Sequence, residues 1–173
     1  MSESNHRRVR PILYVSSTAV LAAVLGMGVV ADQTGAGPES LQADGSITSR
    51  TIKGPACKSP VGRCFVATFE GTLEGPAEFV ANSVKQTPQP GMILINGNFV
   101  IHDKRGDITC IEDSLLNTAP GSDGEPDGEF VFLCEITGGT GKWAGATGHL
   151  QATGNLQGME GAARYIGKMN VKE

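Results

Sequence analysis

From Ser46 onward the chain alternates short runs of β-branched and aromatic residues with Gly, Pro and Asn clusters, and it carries no convincing helical stripe. Runs of this kind bounded by turn formers read as strands. Eight are predicted, near 46–53, 64–73, 77–85, 92–102, 107–116, 129–136, 146–154 and 162–170. Eight strands at such spacing fit a barrel or a sandwich. Glycine separates the two. It makes up 24 of 173 residues and falls within or beside the strands at Gly71, Gly97, Gly148, Gly154 and Gly167. A strand-interior glycine packs nothing, so it marks a sharp bend or a close backbone approach. Tight curvature favours a closed barrel, which also leaves no edge strand to protect. The expected fold is all-β, a small eight-stranded antiparallel barrel stapled by two disulfides, spanning 46–173.

Four cysteines suit an oxidising compartment and two bridges, with three pairings open on spacing alone. If the strands around Cys110 and Cys134 form a hairpin centred on Ser122, each cysteine lies 12 residues from that centre, and the two are directly opposed. Opposed residues have Cβ atoms about 4.5–5.5 Å apart, close enough to bridge. Cys57 and Cys64 then close a short loop through Pro60 and Gly62. A zinc site is the alternative, but an export signal and the lack of a close Cys pair argue against it.

The N-terminus carries Arg7, Arg8 and Arg10, then an uncharged apolar stretch from Ile12 to Val30. That order matches a signal peptide, with Val29 and Ala31 placed for cleavage before Asp32. An uncleaved anchor over residues 12–31 is the alternative, diluted by Ser16, Ser17, Thr18, Gly26 and Gly28. Residues 32–45 are mostly small and polar and read as a linker. Without residues 1–31 the chain has 11 basic and 17 acidic residues, a net charge of −6. A nucleic-acid partner is therefore not expected. Membrane contact is expected only through an uncleaved leader, and a homo-oligomer is left open.

Residues 137–148, TGGTGKWAGATG, precede the strand HLQATGNL. This run resembles the signature of the allene oxide cyclase-like barrels, which include plant allene oxide cyclases and dirigent proteins. The resemblance implies an eight-stranded antiparallel barrel and, by analogy with cyclases of polyketide pathways, a lumen that folds a small molecule. It transfers no catalytic residue to this chain. In physical terms the glycines supply positive-φ turns, and Trp143 is a large side chain available to plug one end of a barrel.

Candidate chemistry begins on the strand Met92–His102, where Ile93, Ile95, Phe99 and Ile101 share one face and Asn96, Asn98 and His102 the other. Were the polar face the lumen, two amides could orient a substrate and His102 could act as acid or base. Were it solvated, the strand would be an ordinary half-buried one. Glu70 shares a face with Val66, Thr68 and Thr72; partial burial there would raise its pKa and suit acid-base work. Tyr165 offers a phenol to a carbonyl. The candidate catalytic residues are thus Glu70, His102 and Tyr165, and the candidate ligand-binding residues Asn96, Asn98, Phe99 and Trp143. Asp123, Glu125, Asp127 and Glu129 alternate like the start of a calcium loop, but Cys134 stands where its closing ligand belongs. No hydrolase triad order, P-loop or dinucleotide fingerprint is present. The sequence therefore predicts an exported barrel binding a mostly apolar molecule, a polyketide or oxidised lipid, with cofactor-free cyclisation or isomerisation as its chemistry. A dirigent-like or carrier protein and a filled structural module are the alternatives.

Overall fold

The computed structural model describes residues 39–120 and 126–172. The strands are β1 (Glu39–Ile52), β2 (Cys64–Gly71), β3 (Gly75–Gln86) and β4 (Met92–Asp103), then β5 (Gly106–Pro120), β6 (Pro126–Gly139), β7 (Thr147–Gln157) and β8 (Glu160–Val171). Each pairs antiparallel with the next, and β8 returns to β1, closing the barrel. The expected fold is the observed one. The export segment and the residues around the hairpin tip lie outside the described residues. Among the described residues no helix is long and apolar enough to cross a membrane.

Alternation sets the inside. On β4, Ile93, Ile95, Phe99 and Ile101 are buried and point into the lumen, so Asn96, Asn98 and His102 face outward. Phenyl rings run along the lumen in contact: Phe65 to Phe79, Phe79 to Phe99, Phe99 to Phe69 and Phe132, and Phe69 to Tyr165, with centroids 5.1–6.2 Å apart. Two strand glycines make room for them. A Cβ on Gly97 would lie 2.5 Å from Cζ of Phe79, and one on Gly45 would lie 2.7 Å from a ring carbon of Tyr165. Glycine here fits large rings into a narrow barrel.

Several strand boundaries differ from expectation, and three of them bear on the pairing. Residues 39–45, expected in the linker, belong to β1 and pair with β8 from Glu39 opposite Val171. The segment has few apolar residues to announce a strand, and ladder pairing with Ala43 buried inside holds it. Strands β5 and β6 run on to Pro120 and Pro126, which moves the hairpin centre to position 123. Cys110 therefore aligns with Ile136, and Cys134 aligns with Glu112, so the cysteines are diagonal neighbours rather than directly opposed. The bridge forms all the same, with Cα atoms 5.6 Å apart beside a register irregularity between Thr109 and Cys110. It lies within the core. Cys57–Cys64 pins the β1–β2 loop instead, with Cys64 on the face of β2 opposite to Phe65.

Candidate functional site

The two ends of the lumen are built differently. At one end meet the β2–β3, β4–β5 and β6–β7 connections. Trp143 comes from the short 3-10 turn Gly141–Trp143 and is fully buried there. Its indole N–H donates to Oδ1 of Asp103 at 3.3 Å, and the guanidinium of Arg105 stacks 4.6 Å from the ring centroid. Asp103 also accepts from Arg105 Nε at 2.7 Å and Nη2 at 2.9 Å, and from the backbone N–H of Glu74 at 3.0 Å. Burial alone would raise the Asp103 pKa, but these donors hold its carboxyl far below the usual range. Tyr165 completes the plug: its hydroxyl accepts from the Leu73 N–H at 2.9 Å and donates to the Leu73 carbonyl at 3.3 Å. Burial raises the phenol pKa.

Towards the other end the lumen opens. A cavity of about 60 Å³ is lined by Phe65, Phe79, Phe99, Phe130 and Phe132, by aliphatic side chains from β1, β5 and β7, and by Ser49, Glu112 and Ser114. Glu112 and Ser114 follow Ile108 and Cys110 in phase along β5, and all four are buried. The Ser114 hydroxyl donates to Oε1 of Glu112 in a short contact. Among the described residues no cation pairs with Glu112. Burial pushes its pKa up to about 7, against a smaller downward pull from Ser114, with the charge of Asp113 adding to the rise. A carboxyl without a counter-ion in such surroundings takes up a proton rather than remain charged. Near neutral pH it is poised between a donor and an acceptor.

Of the residues singled out in the sequence, Phe99 borders this cavity. Tyr165 and Trp143 lie in the opposite plug with their polar atoms engaged. Glu70 is exposed on β2. His102 is on the outer wall, its Nδ1 2.8 Å from Oδ1 of Asp107, with both side chains more than two-fifths exposed. Asn96 donates to Asp113 at 2.9 Å and Asn98 to Asn82 at 3.4 Å, both on the outside. The polar face of β4 is thus the solvated one, because its apolar face fills the barrel. Asp127 lies in β6, where it accepts from the Gly158 N–H, and among the described residues no acidic, His or Cys cluster could hold a metal ion.

Sequence reasoning missed Glu112 and Ser114. One signal points to them: Cys110 and Cys134 must share a face to bridge, and Glu112 is two residues from Cys110 on that face. Ile111 and Leu115 on the other face are as apolar as Ile108 and Leu116, so alternation along β5 is silent about which face is inside. No family model, curated protein or solved structure matches the chain.

Proposed function

We propose that the open half of the barrel binds a small, mostly apolar molecule bearing a carbonyl or hydroxyl oxygen, and that Glu112 hydrogen-bonds that oxygen as a neutral acid. Glu112 then lends its proton to that oxygen as negative charge gathers there and takes a proton back as the carbonyl or hydroxyl of the product re-forms, so that a cofactor-free isomerisation or cyclisation is proton-neutral overall. The observation that carries this reading is a buried carboxyl set among phenyl rings, with no counter-ion among the described residues. Burying such a group costs several kcal/mol unless it is well partnered, and Ser114 supplies one hydrogen bond. A general acid works best when its pKa lies near the working pH, and positioned proton transfer contributes roughly 10²- to 10⁴-fold. The resemblance of residues 137–148 to allene oxide cyclase-like barrels supports the same choice by fold-level analogy. The two disulfides fit an extracytoplasmic setting, in keeping with the leader.

One observation favours a second reading, a filled structural module. The cavity of about 60 Å³ is well below the roughly 300–1,000 Å³ of ordinary ligand pockets. Entry of a ligand therefore needs the partly exposed Phe65, Phe130 and Leu156 to swing outward. The test is incubation with a panel of apolar ketones and enones in D₂O, following binding by ligand-observed NMR and turnover by deuterium uptake beside the carbonyl. Binding with exchange that falls at least 100-fold in Glu112→Gln, while affinity changes little, supports the acid. A ligand recovered unchanged supports the carrier. Failure of every compound to bind leaves the filled module.

A further inference from the structure

The lumen cavity has a third polar residue that the proposed chemistry leaves unused: Ser49 lines it together with Glu112 and Ser114. It stands in phase with the buried Ala43 and Ile47 along β1, so its side chain points inward and is partly buried. Gly161, its partner on β8, leaves the room that the hydroxyl occupies, since a Cβ there would collide with it. Among the described residues the Ser49 hydroxyl has no hydrogen-bond partner.

The register decides what Ser49 faces. Strands β1 and β5 are four strands apart in either direction around the closed barrel, so they are opposite walls. Followed one way, the row of paired residues runs from Ser49 through Ala67, Ala77 and Ile101 to Ile108. Followed the other way, it runs through Gly161, Leu156 and Gly128 to Thr118. A row perpendicular to tilted strands climbs the barrel in one direction and descends in the other. The point of β5 level with Ser49 is therefore midway between Ile108 and Thr118, at position 113. The buried, inward residues on either side of that position are Glu112 and Ser114. The serine hydroxyl and the carboxyl thus face each other across the bore at one height.

Eight strands about 4.8 Å apart and tilted by about 40° leave about 16 Å between opposing backbones. Once the two side chains have taken their share, one six-membered ring with an oxygen at each end fills the remaining width. The rest of the wall is apolar, and five of the chain's six phenylalanines line the cavity. Pairs of aromatic rings gain more than their buried area alone supplies. Resting on the lumen-binding reading above, we infer that the ligand is a planar six-membered ring oxygenated at both ends, in the 1,4 relation, with its carbonyl at Glu112 and Ser114 and its second oxygen at Ser49. A ring hydroxyl can donate to Ser49 or accept from it, because serine does both. This contact fixes which end of the ring meets the acid. A ring oxygenated at one end alone, or in the 1,3 relation, keeps its contact with Glu112 and leaves Ser49 without a partner.

The test compares 4-hydroxyacetophenone, 3-hydroxyacetophenone and 4-methylacetophenone, binding to the parent protein and to Ser49→Ala by ligand-observed NMR titration at a pH that keeps the phenols neutral. In Ser49→Ala the 4-hydroxy compound is expected to bind about fivefold or more weakly, the cost of leaving one enclosed hydroxyl unpaired. The other two ketones are expected to keep their affinities, which also shows that the variant is folded. An equal loss for all three ketones, or no loss for the 4-hydroxy compound, overturns the inference and leaves lumen binding intact. So does a parent protein that binds 4-methylacetophenone and rejects its 4-hydroxy counterpart. Binding of none of the three to the parent protein removes the lumen-binding reading itself, and the inference with it.

Discussion

The two ends of the barrel each bury a carboxylic acid, and they treat it in opposite ways. Asp103 accepts bonds from Arg105, Glu74 and Trp143, and stays charged inside the plug. Glu112 has a serine hydroxyl and a wall of phenyl rings. The difference teaches that burial alone does not mark a site. A fully partnered buried charge holds the architecture together, whereas an under-partnered one loses its charge and keeps its reactivity. By this comparison the plug holds the architecture, and the open half is where the proposed chemistry would sit.

Substitutions at the two ends should therefore differ in kind. The largest effect is expected at Trp143→Ala, which empties the plug and strips a donor from Asp103; urea denaturation should show a loss of about 4 kcal/mol. Next comes pH. In the folded state Glu112 titrates near 7, above its ordinary 4.5, so between those values the native protein holds the extra proton. Stability should fall as pH rises through that window, by up to about 3 kcal/mol. Glu112→Gln should flatten that fall, and a variant as pH-dependent as the parent would break the comparison. Asp103 has the opposite sign: its stabilisation is complete above the ordinary 3.8 and is lost only in stronger acid. Asp103→Asn should cost about 2 kcal/mol at neutral pH, since an amide keeps one acceptor and loses the charge. The smallest effect is expected at Ser114→Ala, about 1 kcal/mol, accompanied by a further upward shift of the Glu112 titration.

How far the sequence reveals these two ends follows from what each depends on. Strand number and closure were legible, because turn glycines and β-branched runs are local signals. Trp143 was legible as a plug because a large side chain within a glycine-rich turn has few other uses. The disulfide pairing was legible although the register behind it was not: the strands continue through Thr118 into Pro120, past residues that read as turn formers. The site was the hidden part. Glu112 is distinguished from an exposed acid only by the phase of β5, and Ile111 and Leu115 blur that phase. Those two, with Leu94, Val131 and Leu133, belong to an outer wall that is itself partly apolar, with side chains up to half exposed. His102 and the β4 amides drew notice because polar residues on a clean alternation are conspicuous. They are conspicuous for the ordinary reason that they face water.

Everything proposed for the open half depends on Glu112 being a neutral acid there. Infrared difference titration of the protonated carboxyl C=O band, in the parent protein and in Glu112→Gln, tests that claim most directly. A band that loses half its intensity near pH 7, is missing from the variant and shifts when an apolar ketone is bound is the predicted result. A Glu112 band that disappears by about pH 5, as for a solvated carboxylate, or one indifferent to ligand, would contradict it.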